Sequence, residues 1–205
     1  MFRLLACLLL LTSPLFAQEQ ASKRKYVNLD TDTVYLQGSV TGYSVQQVAT
    51  QASSSFAGDV HLFINSPGGD MRAAEWLVNQ FDLLRARGKS IKCYAGSQVA
   101  SAAFFIYLHC DQRYAIPQSK LFPHKIHIFY DAPVLPQELI ATGLRVAEEQ
   151  AKWDLMGMEI TGMSERDYLE FRDSDYSQWS ILKVQQKSTK KWFILVDHYF
   201  IRMGK

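Results

Sequence analysis

Apolar and polar residues along the first half of the chain follow the spacing of alternating strands and helices. Short β-rich runs occur at Val34–Val40 and Asp59–Asn65, and the segment Ser44–Phe56 between them repeats apolar residues at helical intervals. A second helix is predicted over Met71–Arg87 and a third strand over 90–96. This alternation is typical of parallel βαβ units with right-handed crossovers, so the sequence predicts an α/β fold.

The second half of the chain continues the pattern and adds one long helix. The stretch "SQVASAAFFIYLHC" predicts a turn that opens into an apolar helix, and "RYAIP" and "SKLFPHKIHIF" predict two further strands. The residues from Pro136 to Thr161 have the apolar spacing of a single long helix, although Gly143 lies inside it. A short helix is expected after Ser164, where "SERD" is an N-cap pattern.

A glycine corner separates the second strand from the second helix in "FINSPGGDMRAA". Glycine and proline are common in tight turns, which is the simpler interpretation. The other interpretation is that bare backbone lets a reacting oxygen approach main-chain N–H groups. In an open α/β sheet, ligands bind at the C-terminal ends of the strands, and a second corner, Gly96 to Ser101, is predicted at the same edge. The second interpretation also requires a nucleophile and a base elsewhere in the chain.

The first 17 residues have the pattern of a secretory signal peptide. Arg3 precedes a short apolar stretch, and the small residue Ala17 marks the predicted cleavage site. The apolar run is shorter than a membrane span. A lipoprotein site at Cys7 is a less favoured alternative, because little apolar sequence precedes it. We therefore expect an exported protein, periplasmic or secreted, with a flexible leader over 18–30 and one domain over 31–205.

Composition and charge fit an ordinary globular protein. The chain has 205 residues, of which 48% are hydrophobic and 20% are charged, enough for the core of one domain. Its net charge is +2, and apart from "KSTKK" at Lys187–Lys191 its basic residues are mixed with acidic ones. A nucleic-acid partner is therefore not expected.

Two cysteines, Cys93 and Cys110, remain after the predicted cleavage, in a compartment where disulfides persist. Cys93 lies on the predicted third strand and Cys110 ends the helix that follows it. A strand of about six residues spans roughly 20 Å, and a helix of about nine residues spans roughly 14 Å, so the two sulfurs can reach the same level. A disulfide and a pair of buried free thiols are both compatible with this placement.

Three motifs, "FINSPGGDMRAA", "GSQVASAAFFIY" and "RYAIPQSKLFPHK", occur in an order and spacing that resemble the Clp protease proteolytic subunit (ClpP) family of serine peptidases, within the ClpP/crotonase fold superfamily. The resemblance covers about residues 34–175 and leaves 176–205 divergent. It implies a ClpP/crotonase-like fold of repeated ββα and βαβ units with a long protruding helix. With the signal peptide pattern, it implies an exported member of the family.

The resemblance also implies a catalytic triad. By position in the motifs, Ser101 corresponds to the nucleophile and His124 to the general base, and the family spacing leads to Asp175 as the third member. Asp173 and Asp167 are alternatives to Asp175. The chemistry agrees, because a serine hydroxyl is a weak nucleophile that requires an adjacent base, which a third group orients.

The main-chain N–H groups of Gly69 and Ala102 correspond to the family's oxyanion hole. Two amide donors at these positions would stabilise the negative oxygen of a tetrahedral intermediate. The resemblance therefore gives the glycine corner a chemical purpose beyond that of a tight turn.

Other residues near the motifs offer alternatives. His127 follows His124 by three positions, so on a strand the two side chains would face opposite sides, and only one could be the base. Lys120 and Lys125 allow a serine and lysine dyad like that of the signal peptide peptidase family. The remaining histidines are expected away from the site: His61, His109 and His198.

The function implied is that of a serine-type endopeptidase that hydrolyses peptides or unfolded proteins through an acyl-enzyme, without a metal or other cofactor. A homo-oligomer is expected, because the long helix has more apolar positions than one buried face needs. A Clp-type ATPase is not expected as a partner, since ATP is scarce outside the cytoplasm. Two other functions stay open: a non-catalytic interaction scaffold that keeps the fold, and an acyl-CoA hydrolase or isomerase of the crotonase type.

Overall fold

A parallel β-sheet with helices packed on it organises the chain, and the computed structural model describes residues 26–29, 32–55, 58–174, 181–196 and 198–201. The strands of this part are β1 (Tyr26–Leu29), β2 (Val34–Gln37), β3 (Asp59–Ser66), β4 (Ser90–Ala100), β5 (Gln112–Ala115), β6 (Lys120–Phe122), β7 (Ile194–Leu195) and β8 (His198–Ile201). Its helices are α1 (Gly42–Ser54), α2 (Met71–Ala86), α3 (Ala102–Leu108), α4 (Pro136–Thr161), α5 (Glu165–Asp173) and α6 (Ile181–Lys187).

All strand pairs within the described residues are parallel. The main sheet has the order β2-β3-β4-β5-β7, and β6 pairs with the far end of β4. The predicted α/β fold, with its parallel sheet and its long helix, is confirmed. Strands β1 and β8 form a separate parallel pair. Since β1 is Tyr26–Leu29, the last part of the leader predicted over 18–30 is a strand.

The core lies between the sheet and helices α1, α2 and α3. Alternate residues of β3 are buried, as expected for a strand with one face on the core. Helix α2 buries an apolar stripe, and its N-cap, Asp70, accepts hydrogen bonds from the N–H groups of Arg72 and Ala73. Each fully buried Leu or Phe side chain contributes roughly 1.5–3 kcal/mol, so this stripe fixes α2, and with it the glycine corner that precedes Asp70.

Strand β4 runs further than the sequence predicts. The third strand was expected to end near Gly96 in a turn, whereas β4 continues to Ala100, with a shift in its register against β3. The side chain of Asn65 explains the difference: its Oδ1 accepts hydrogen bonds from the Ser97 hydroxyl (2.8 Å) and the Gln98 N–H (3.1 Å). Pairing with β6 completes the extension. The strand therefore delivers its chain directly to Ser101.

The segment after β6 is not the strand that "SKLFPHKIHIF" predicts. Strand β6 ends at Phe122, and residues 123–130 have no regular secondary structure. Pro123 has no N–H group to donate to a neighbouring strand, which explains why the pairing stops there. His124 and His127 therefore lie on a loop.

Helix α4 is unbroken at Gly143 and has two different halves. In the first half, large apolar side chains face solvent: Leu139 is 53% exposed, and Ile140 and Leu144 are each 65% exposed. In the second half, a Cβ on Gly157 would lie 2.1 Å from the hydroxyl oxygen of Tyr168, so glycine lets α5 pack closely there. Among the described helices, α4 included, none combines the length and the hydropathy needed to cross a membrane.

Cys93 on β4 and Cys110 after α3 form a disulfide, with their Cα atoms 5.9 Å apart. Of the two arrangements compatible with the sequence, the structure has the bridge. Both residues are buried. The bond ties the strand that leads to Ser101 to the helix that leaves it.

We expect the double substitution Cys93→Ala and Cys110→Ala to lower the free energy of unfolding by about 3 kcal/mol, the value for closure of a loop of this size. Urea unfolding of the mature protein, with and without reductant, measures the loss. Reductant should lower the midpoint of the wild type and leave that of the double variant unchanged. Equal midpoints for the two proteins without reductant would contradict a stabilising bond.

Candidate active site

Ser101 occupies a strained turn between β4 and α3. Its φ of 54° and ψ of −128° make it the one non-glycine residue with positive φ within the described residues. Such a conformation costs about 1–3 kcal/mol and persists where the surrounding structure enforces it. Here the Ser101 N–H donates to the Phe122 carbonyl (2.9 Å), which anchors the turn to β6. A sharp strand-to-helix turn of this kind presents a serine hydroxyl outward.

His124 lies opposite Ser101, two residues after β6. Its Nδ1 is 2.5 Å from the carbonyl oxygen of Lys125, and since a carbonyl only accepts hydrogen bonds, Nδ1 is the donor in this contact. A neutral ring then has its free lone pair on Nε2, as a general base requires. Across the described residues, no hydrogen bond joins the Ser101 hydroxyl to His124; both side chains border the same cavity.

The cavity between Ser101 and His124 has a volume of about 340 Å³ and opens to solvent. Its floor is the glycine corner at 67–69, and its walls are largely apolar, from Met71, Ile126, Phe129 and Trp153. A second, smaller cavity also borders Ser101, His124 and Trp153, and is lined further by side chains of α3, α4 and α5. A cleft with apolar walls and a few polar groups at its centre is typical of a substrate site.

The glycine corner packs directly against the serine turn. Gly68 has φ +97°, and a Cβ on it would lie 2.4 Å from the Cβ of Ser101. The corner is held by Val40, whose N–H donates to the Gly68 carbonyl (2.8 Å) and whose carbonyl accepts from the Asp70 N–H (2.8 Å). Only glycine leaves room for this approach.

Two main-chain N–H groups at this contact have no hydrogen-bond partner among the described residues. Those of Gly69 and Ala102 donate to no protein acceptor within the described part of the chain. Gly69 borders the larger cavity, and Ala102 directly follows Ser101. Unpaired amide donors beside a serine hydroxyl have the composition of an oxyanion hole. The two positions singled out from sequence are thus both beside the serine.

The predicted third triad member, Asp175, lies outside the described residues. The alternative Asp173 is bound by two cations, Arg172 and Lys125. Hydrogen bonds from Arg172, and then from Lys125, hold the pKa of Asp173 below its ordinary value. The other alternative, Asp167, lies in the first turn of α5, where its N–H donates to the N-cap residue Ser164. Its carboxylate pairs with Lys187, and its pKa is lowered chiefly by the hydrogen bond from that lysine.

The prediction that His127 faces away from His124 is wrong. Because the loop after Pro123 is not a strand, the two rings lie with their centroids 5.1 Å apart, and both border the larger cavity. His61 instead contacts the Tyr94 hydroxyl on the sheet (2.8 Å). His109 ends α3, where burial lowers its pKa. The side chain of His198 lies outside the described part.

Neither lysine proposed for a dyad borders a cavity with Ser101 in the part of the chain that the structure describes. Lys125 pairs with Asp173, and Lys120 lies exposed on β6. The geometry therefore favours a histidine as the base.

Sequence reasoning missed the contribution of helix α4 to the site. Gln150, Trp153 and Asp154 border the smaller cavity together with Ser101 and His124. Their spacing of three and four residues puts them on one face of the helix, and this was the available signal. The polar residues Gln150 and Asp154, beside Trp153 on that face, indicate from sequence that the face has a role beyond packing.

Comparisons with known proteins agree with this architecture. The Clp protease family model matches residues 18–132. A solved structure of a ClpP1 mutant from Listeria monocytogenes is similar, with a TM-score of 0.64 and 21% identity over 82% of this chain and 92% of that one. At that identity the likeness concerns the fold. No curated protein sequence matches the chain. Because the family model spans more than half of its 205 residues, the chain belongs to the Clp protease family.

Proposed function

We propose that this protein is an exported serine endopeptidase that cleaves peptides through an acyl-enzyme on Ser101. The observation that carries the proposal is the strained turn of Ser101, which faces His124 across a cavity and lies beside unpaired amide N–H groups. Strain of this kind is stored where a side chain must be presented in one direction. An N-cap serine in an ordinary turn does not need it.

In the proposed mechanism, the Ser101 hydroxyl oxygen attacks the carbonyl carbon of the scissile peptide. His124 Nε2 accepts the hydroxyl proton as the bond forms. The N–H groups of Gly69 and Ala102 donate to the oxyanion, a contribution worth about 2.7–4 kcal/mol for one donor. The imidazolium then gives its proton to the leaving amine. Water, deprotonated by the same histidine, hydrolyses the ester and regenerates the serine.

Asp175 is proposed to orient His124 in this reaction. The family spacing supports this assignment. The ion pairs of the alternative Asp173 also favour Asp175, because Arg172 and Lys125 engage both carboxylate oxygens of Asp173. The N–H at His124 Nδ1 can be shared between the Lys125 carbonyl and this carboxylate, whose charge stabilises the imidazolium that forms during the attack.

The signal peptide pattern of residues 1–17 supports export to the periplasm or beyond, and the Cys93–Cys110 disulfide is consistent with an oxidising compartment. Because ATP is scarce there, the substrates would be peptides or already unfolded segments, and a Clp-type ATPase would not take part. The apolar walls of the cavity favour substrates with apolar side chains next to the scissile bond.

We expect the mature protein to be a homo-oligomer, with the first half of α4 in the interface. The exposed side chains of Leu139, Ile140 and Leu144 form an apolar surface that a single copy leaves in water. Light scattering at micromolar concentration measures the mass. We expect Ile140→Glu to lower it, whereas the matched substitution Arg145→Glu, at a polar position of the same helix, should have a smaller effect. A monomeric wild type would contradict the expectation.

Labelling with a fluorophosphonate tests the proposed function, because the reagent reacts with a serine that an adjacent base activates. We expect the wild type to be labelled and Ser101→Ala to remain unlabelled. A non-catalytic scaffold would not react, and a crotonase-type enzyme that uses no serine nucleophile would not react at this position.

A further inference from the structure

One peptide group, between Lys125 and Ile126, is held on both of its sides. Its carbonyl oxygen accepts from His124 Nδ1, and its N–H donates to Gln150 Oε1 on helix α4 (2.8 Å). The N–H and C=O of a trans peptide are fixed in one plane and point in opposite directions. Holding the N–H therefore fixes the direction in which the carbonyl faces His124.

The Gln150 amide is itself oriented by a buried ion pair. Its Nε2 donates to Asp154 Oδ1 (2.9 Å), so Oε1 must be the atom that faces Ile126. The other oxygen of Asp154 accepts from Arg172 Nη1. The side chains of Arg172 and Asp154 are only 10% and 12% exposed. Water competes little with hydrogen bonds at such depth, so they hold their geometry.

The ion pair of Arg172 and Asp154 is also connected to the loop that carries His124, through Asp173 and Lys125. Arg172 Nε donates to Asp173 Oδ1 (2.6 Å), and Asp173 Oδ2 pairs with Lys125 Nζ (3.1 Å). Two carboxylates and two cations alternate along this network, so its charges balance. Because Arg172 binds Asp154 and Asp173 with different N–H groups of one rigid fork, it couples α4 to α5.

We propose that Gln150, oriented by Asp154 and Arg172, is a positioning residue for His124, acting through the Lys125–Ile126 peptide group. The inference deepens the proposed function and rests on it. The carbonyl of this peptide holds the Nδ1–H of His124, so that Nε2 faces the cavity with Ser101. In this role Gln150 acts on the direction of the His124 ring and not on the substrate itself.

Gln150→Leu keeps the size and the helix propensity of the side chain and removes both hydrogen bonds. We expect kcat for an unstructured peptide to fall on the order of 10²-fold with KM nearly unchanged, since a displacement of the base by about 1 Å has an effect of that size. The control is Glu149→Gln, the neighbouring position, whose ion pair with Lys152 takes no part in the network. It should keep kcat within about twofold. If Gln150→Leu does not fold, Gln150→Met replaces it.

The charge-conserving pair Gln150→Glu with Asp154→Asn should restore activity. The glutamate still accepts from Ile126, the asparagine amide donates to the glutamate, and its carbonyl accepts from Arg172. We expect kcat within about fivefold of the wild type, well above the single substitution Gln150→Glu, which places two carboxylates against each other. A network that served only to hold α4 to α5 would show no such split between kcat and KM.

Measuring the effect of Gln150→Leu in a protein that lacks His124 separates a positioning role from an effect on stability. In a His124→Ala protein, adding Gln150→Leu should change the residual rate less than about twofold, because residues that act through one group are not additive. The Ile126 methyl resonance should shift in Gln150→Leu and stay in place in Glu149→Gln. Two results with an active wild type overturn the inference alone. In the first, Gln150→Leu keeps the wild-type kcat; in the second, Gln150→Leu lowers the rate by the same factor in the His124→Ala protein as in the wild type. A folded wild type that fluorophosphonate does not label overturns the proposed function, and the inference with it.

Discussion

Replacing Ser101 by alanine is expected to lower kcat/KM for an unstructured peptide by about 10⁴-fold or more, the loss found when a triad nucleophile is removed. The substitution deletes one hydroxyl that makes no hydrogen bond to the described protein residues, and it keeps a Cβ in the same strained turn. The free energy of unfolding should therefore change by no more than about 0.5 kcal/mol.

The matched control is Ser54→Ala, which removes a hydroxyl that donates to Gln51 at the end of α1, away from the cavity. Initial rates of peptide cleavage, measured beside a thermal unfolding curve for each variant, separate catalysis from stability. Ser54→Ala should retain the wild-type rate. Turnover by a folded Ser101→Ala protein at even a tenth of the wild-type rate would contradict its assignment as nucleophile.

Replacing Gly68 by alanine is expected to damage both the fold and the site. The added Cβ would lie 2.4 Å from the Ser101 Cβ and 2.7 Å from the Ala100 carbonyl oxygen, at a φ of +97°. Overpacking costs about 1–3 kcal/mol and a positive φ about 1–2 kcal/mol, so we expect a loss of roughly 2–5 kcal/mol. Because the corner must move, the Gly69 N–H leaves its position, and activity should fall by about 10²–10³-fold.

Gly88→Ala is the matched control for this glycine. Gly88 also has a positive φ, +80°, but an added Cβ there would meet no atom within 4 Å. Gly88→Ala should therefore lower the free energy of unfolding only by the cost of a positive φ in a non-glycine residue, about 1–2 kcal/mol, and should keep its activity. Chemical denaturation and peptide hydrolysis on both variants decide the matter. Equal losses in the two proteins would mean that contact with the serine turn has no special role.

The main features of the fold and the two chief site residues could be predicted because their signals are local. The period of apolar residues located α1, α2 and α4, and the motifs gave Ser101 and His124 positions that the structure places on one cavity. The extension of β4 was not predictable in this way, because it depends on Asn65, about 30 residues earlier in the chain, and on β6.

The parts of the site that were missed depend on contacts between distant segments. His127 was expected to face away, because a strand period was applied to a loop that Pro123 had already separated from the sheet. Gln150 was not singled out, since its role depends on a hydrogen bond to Ile126, 24 residues away. The helical spacing of Gln150, Trp153 and Asp154 could indicate a shared face, but residues that orient another residue have no motif of their own, so the role of Gln150 requires the folded geometry.

The most direct test of the central claim is the site of fluorophosphonate attachment. The mature protein is labelled, digested and analysed by mass spectrometry, with Ser101→Ala and His124→Ala treated in parallel. An activated serine predicts one adduct per chain, on the peptide that contains Ser101, no adduct in Ser101→Ala, and much slower labelling in His124→Ala. A correctly folded wild type that carries no adduct, or carries it on another residue, would contradict the assignment of Ser101 as the nucleophile.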